Sequence, residues 1–136
     1  MRRLARRDSR RGAAAVEFAL VLPLFAVVLF GMIEYGWFFY QQFGVASAVR
    51  DGLRVGATVS QNANPDPKTT AVKRTQTLMA GVGINAASVS INALYFGSSP
   101  SKTMTLSATM PYKPLIGFVP VPKSISYSMT MMLELQ

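Results

Sequence analysis

The sequence predicts an α+β protein. One long N-terminal helix crosses a membrane, and a small module follows, built from one short helix on a three-stranded antiparallel sheet. Three observations point there. Phe18 to Ile33 is a run of sixteen residues without a charge, close to the roughly 20 mostly apolar residues that a spanning helix needs. Ala71, Thr75, Leu78, Met79 and Val82 recur at the spacing of one helix face. Three later stretches alternate apolar and polar residues with a period of two, the mark of half-buried strands.

The chain opens on a basic segment. Arg2, Arg3, Arg6, Arg7, Arg10 and Arg11 precede Gly12 with only Asp8 against them, whereas the rest holds eight basic and five acidic residues. The net charge of +8 is therefore lopsided. A basic tail is able to bind nucleic acid. Next to an apolar run it reads more simply as the cytoplasmic flank of a membrane segment, and no nucleic-acid partner is expected.

The apolar helix runs from Ala13 to about Thr58, roughly 70 Å at 1.5 Å per residue, with its membrane part over about 18–40. Glu17 and Glu34 lie about 25 Å apart along it, near opposite interfaces. Tyr35, Trp37, Phe38, Phe39 and Tyr40 fall where aromatic belts form. With the arginines inside, the C-terminal part faces away from the cytoplasm. Pro23 removes one backbone donor and should kink or open the helix, which neighbouring helices tolerate in a bilayer. Beyond the membrane, Gly44, Ala48, Gly52 and Gly56 recur every fourth residue, a stripe almost without side chains that lets another backbone approach. Arg50 and Arg54 lie one turn apart, with Asp51 between them.

Residues 59–67 read as a linker, polar and with two X-Pro steps. Asp66 and Pro67 have the chemistry of an N-cap and first helical residue, and Gly81 and Gly83 of a helix end. The module spans 68–136. Its strands are marked by Val89, Ile91, Ala93 and Tyr95, then Met104, Leu106, Ala108 and Met110, then Ile125, Tyr127, Met129, Met131 and Leu133. Phe96–Lys102 is a Gly/Ser/Pro turn between the first two, and Pro111–Lys123 a longer Pro-rich loop. The roughly 75 residues after position 60 are marginal for an independent core.

The chain has no Cys and no His. Thiol chemistry, Cys/His zinc sites and imidazole catalysis are excluded by that inventory. No nucleophile motif, phosphate loop or metal-ligand spacing occurs. The chain reads as a non-enzyme without a cofactor.

Three readings of the N-terminus compete. A cleaved secretory signal peptide would use Ala46-Ser47-Ala48, which stands thirteen residues beyond Ile33, across the aromatic block. A plain anchor explains the apolar run but not why it begins Gly12-Ala13-Ala14-Ala15-Val16-Glu17-Phe18. That stretch resembles the processing site of type IV pilin-like proteins. Ala46 to Ala57, with Arg50, Gly52, Arg54 and Gly56, resembles the Arg/Gly stretch of the TadE-like family, minor pilins or pseudopilins of the tight-adherence pilus apparatus. Met110 to Ile116 is similar to that family's aromatic-proline turn. The family often carries Glu where this chain has Asp51.

The resemblance implies cleavage of leader 1–12 after Gly12 by a prepilin peptidase, with Ala13 as the new N-terminus. It implies residence in a bacterial inner membrane, other pilin-like subunits as partners, and a role in assembling, initiating or capping a pilus. Glu17 would be the fifth residue of the mature chain. Its carboxylate and an ammonium at the Ala13 of a neighbouring subunit attract strongly in low dielectric and would set axial register. An uncleaved single-pass anchor carrying a binding module is the alternative.

Overall fold

The computed structural model describes residues 5–60, 62–98 and 102–133, with side chains from Gly12 onward. Its elements are α1 (Ala5–Ala57), α2 (Pro67–Gly81), a single 3-10 turn (Ala86–Ser88), β1 (Ser90–Phe96), β2 (Thr103–Pro111) and β3 (Ser124–Met132). This is the α+β arrangement read from the sequence. The chain divides into two compact units. One holds residues 1–36 and 114–121; the other holds 37–113 and 122–136.

In the first unit, α1 is long and apolar enough to cross a membrane. Leu, Phe, Val and Ala crowd it on every side and most of these side chains are exposed. A helix apolar all round belongs in lipid or in a large core. The helix continues unbroken through Pro23. It also begins at Ala5 rather than near Ala13, because Arg and Ala are good helix formers.

In the second unit the strands form an antiparallel meander in the order β1-β2-β3. The register stacks apolar residues in rows across the sheet: Ile91, Ala108 and Tyr127; Ala93, Leu106 and Met129; Tyr95, Met104 and Met131. In the central strand, Met104, Leu106, Ala108 and Met110 are all buried. The opposite face carries Ser and Thr, with the Thr105 and Thr130 hydroxyls 2.7 Å apart. Ser99 to Ser101, in the turn expected between β1 and β2, lie outside the described residues.

Helix α2 starts and stops on local chemistry. Asp66 accepts a hydrogen bond from the Thr69 amide at 3.3 Å, and Pro67 follows in the first turn, where its missing N–H costs nothing. At the other end the amide of Ile84 reaches Met79 O at 2.9 Å and that of Gly83 reaches Ala80 O at 3.1 Å. These bonds, with Gly83 at φ +78°, make a Schellman cap. Ile84 and Met79 are both buried, the apolar contact that accompanies this cap.

The core of this unit draws on the later half of α1 as well as on α2. Val45, Ala48, Val49, Leu53 and Ala57 are buried beside Ala71, Thr75 and Met79. The marginal size of the module is thereby offset: its sheet has two helices, not one, to pack against.

Candidate functional site

Two carboxylates stand on the apolar part of α1, and their surroundings differ sharply. Glu34 is 0% exposed. Its Oε1 accepts from the Leu115 amide at 2.9 Å, and its Oε2 accepts from Ile116 at 2.8 Å and Gly117 at 3.2 Å. Three successive amides converging on one anion form a nest. Gly117 sits at φ +73°, a left-handed conformation that other residues rarely adopt, so the chain turns sharply just after the third amide. Hydrogen bonds to a charged acceptor are worth about 1.5–3 kcal/mol each, so the nest is a strong local clamp.

The rest of the loop runs along the same helix face. On α1, Phe30 and Glu34, and likewise Gly31 and Tyr35, stand four positions apart, one helical turn. Phe118 meets Phe30 edge to face at 6.4 Å. A Cβ on Gly31 would lie 3.9 Å from Val119, and the Tyr35 hydroxyl donates to Pro120 O at 2.9 Å. No periodic signal in the sequence ties Glu34 to this loop. The available clues were an acid inside an apolar run, which calls for a partner, and a glycine set among prolines and apolar residues.

Glu17 is exposed, one turn after Ala13, and among the described residues no side-chain hydrogen bond or ion pair involves it. Gly12 is exposed too, with nothing within 4 Å of a Cβ added there. Pro23 lies mid-helix between the two acids, exposed like its neighbours.

The small residues of the later α1 lie under α2 and its cap. A Cβ on Gly52 would meet the Thr75 hydroxyl and come within 2.8 Å of Ala71 O; one on Gly56 would come within 2.8 Å of Pro67 O and Met104. On Gly44 it would lie 3.3 Å from Val82 and 3.4 Å from Ile84. At Ala48 the carbonyl accepts from the buried Thr75 hydroxyl at 3.4 Å, which also donates to Ala71 O at 2.8 Å. The partner brought close by this stripe is thus a segment of the same chain.

The charged stretch beside it splits three ways. Asp51 pairs with Arg74 at 2.9 Å. Arg50 donates from Nε to the Tyr127 hydroxyl at 3.0 Å and lies over that ring at 5.8 Å. Arg54 is exposed. Elsewhere an open cleft of about 270 Å³ is lined by Trp37, Tyr40, Gln41, Ile84, Asn85 and Lys113 among others. Among the described residues no group of three His, Cys, Asp or Glu is placed to hold a metal ion.

Residues 12–54 match the family model TadE, TadE-like protein. The match covers about a third of the chain, opening at Gly12 and closing at Arg54, and takes in Glu17, Pro23, Glu34 and the small-residue stripe as far as Gly52. The family that Gly12, Glu17 and the Arg50–Arg54 stretch resemble is the one whose model matches these residues. No curated protein and no solved structure matches the chain.

Proposed function

We propose, from the match of residues 12–54 to TadE-like proteins, that this chain is a minor pilin or pseudopilin of a Tad-type pilus system. It sits in the inner membrane with its arginines in the cytoplasm and its sheet outside. A prepilin peptidase removes residues 1–12, and the mature chain, starting at Ala13, helps to assemble, initiate or cap the pilus. It is a substrate and a subunit rather than an enzyme.

One observation carries the reading: Gly12 stands five residues before Glu17, where the arginine segment meets the apolar helix. The contrast between the two acids supports it. Glu34 is clamped by amides of its own chain, whereas Glu17 is exposed on an apolar surface. An acid at that depth is costly unless paired, and an ammonium at the Ala13 of a second subunit supplies the pair.

Intact-mass measurement of the protein extracted from its native host tests the cleavage. A mature chain beginning at Ala13 is expected; a chain that still carries its arginines refutes the reading. Replacing Gly12 by a bulky residue should abolish function in a pilin and leave an uncleaved anchor working. Glu17→Ala should insert in the membrane normally yet fail to assemble, and normal piliation would remove the register role.

A further inference from the structure

The loop from Pro114 to Pro122 reads Pro-Leu-Ile-Gly-Phe-Val-Pro-Val-Pro, nine residues without a charged or polar side chain, with Lys113 before it and Lys123 after it. A surface loop is ordinarily polar, and this one presents its apolar side chains outward. Leu115 is 59% exposed, Ile116 43% and Phe118 65%. In water such a patch would be a liability.

Its backbone is as unusual as its side chains. Pro114, Pro120 and Pro122 have no N–H to satisfy. The amides of Leu115, Ile116 and Gly117 are all taken by Glu34. Six of the nine residues thus leave no donor unmet, and the carbonyl of Pro120 accepts from Tyr35. Non-helical backbone is tolerated at membrane depth only where protein covers it; Glu34 and Tyr35 of α1 take up the amides of 115–117 and the Pro120 carbonyl, so this backbone faces the helix while the apolar side chains face out. Its apolar surface joins the helix face through Phe118 on Phe30, in the part of α1 that approaches the far end of the apolar run. Lysines at both ends suit an element whose middle is in lipid and whose ends reach the headgroups.

We infer that residues 114–122 are a second membrane-contacting element, lying beside α1 at the acyl-chain boundary of the leaflet nearer Glu34, with Glu34 as the clamp that holds its backbone against the helix. The partner is the acyl-chain region of the bilayer. This goes beyond the proposed pilin role and is independent of cleavage; it rests only on α1 crossing a bilayer.

The test uses the full chain in phosphatidylcholine vesicles, with or without bromine on the acyl chains. Trp37→Phe removes the one tryptophan, and Phe118→Trp or Phe25→Trp then places a single reporter at an exposed site on the loop or on the helix. Loss of emission in brominated lipid at both sites is the expected result. Quenching at position 25 with position 118 open to aqueous iodide would put the loop in water and overturn the inference alone. Position 118 shielded from both bromine and iodide would mean that protein, such as a second copy, covers the loop, and would overturn it equally. No bromine quenching at either site would remove the bilayer-crossing premise itself.

Discussion

Glu34→Gln isolates the clamp with the smallest change in shape. The carboxylate serves three amides, Oε1 taking Leu115 and Oε2 taking Ile116 and Gly117. An amide side chain keeps one acceptor and turns the other into a donor. Whichever way it is flipped, an N–H faces at least one N–H of the loop. At about 1.5–3 kcal/mol for each bond to a charged acceptor, and roughly half that for a neutral one, losing one bond and weakening two costs about 3 kcal/mol at the low end of that range. At 1.4 kcal/mol per factor of ten, local opening becomes about 100-fold more frequent. Amide hydrogen exchange on the full chain in lipid nanodiscs reads this directly, because exchange reports local opening. The amides of residues 115–117 should exchange about 100-fold faster, while those pairing β2 with β3 keep their protection. Glu17→Gln, the same chemical change on the same helix, should leave residues 115–117 alone. Unchanged exchange at those three amides in Glu34→Gln would refute the clamp.

Further outcomes follow from the packing of the module. Gly52→Ala should destabilise by about 1–3 kcal/mol, because its Cβ would press on Thr75 and the Ala71 carbonyl, and this outweighs the gain of up to about 1 kcal/mol from replacing a helical glycine. Gly36→Ala, with nothing within 4 Å of its Cβ, should be neutral or stabilising, so thermal unfolding in detergent should rank Gly52→Ala below it. Hydrogen bonding to Thr69 holds the Asp66 carboxyl below its ordinary value of 3.8. Since the folded value is the lower one, the cap stabilises above the ordinary value and is lost as pH falls through the depressed one. Acid titration of α2 helicity should therefore lose this step in Asp66→Ala. A double-mutant cycle on Asp51 and Arg74, both half-exposed, should return less than about 1 kcal/mol despite the 2.9 Å contact.

What could be read from the sequence was whatever repeats locally. The alternation through Met104, Leu106, Ala108 and Met110 gave the buried side of β2, and Asp66-Pro67 and Gly83 gave the ends of α2 because caps depend on a few adjacent residues. Val82, expected on the apolar face of α2, instead forms its C-cap and is exposed, since the cap turns the chain there. The stripe at Gly44, Ala48, Gly52 and Gly56 announced a close approach but not by what. The absence of side chains says how near a partner comes and nothing of its identity. The clamp on Glu34 was illegible for a similar reason. Its partners lie 81 to 83 positions later, and no spacing rule connects a helix residue to amides at that distance. The 3-10 turn at Ala86–Ser88, with Asn85 accepting from the Ala87 amide, depends on one Asn side chain and is too short to leave a pattern.

The burial of Val45, Val49 and Leu53 against the sheet unit bears on how this protein is ever made soluble. A fragment trimmed at the polar segment before Pro67 would strip a wall from its own interior and expose the methionine row of β2. A folded water-soluble version has to start inside the long helix, near Trp37, and carry roughly its last six turns along. A cut at the linker would release a head without that wall, so an intact head calls for a cut within the helix and not at a hinge.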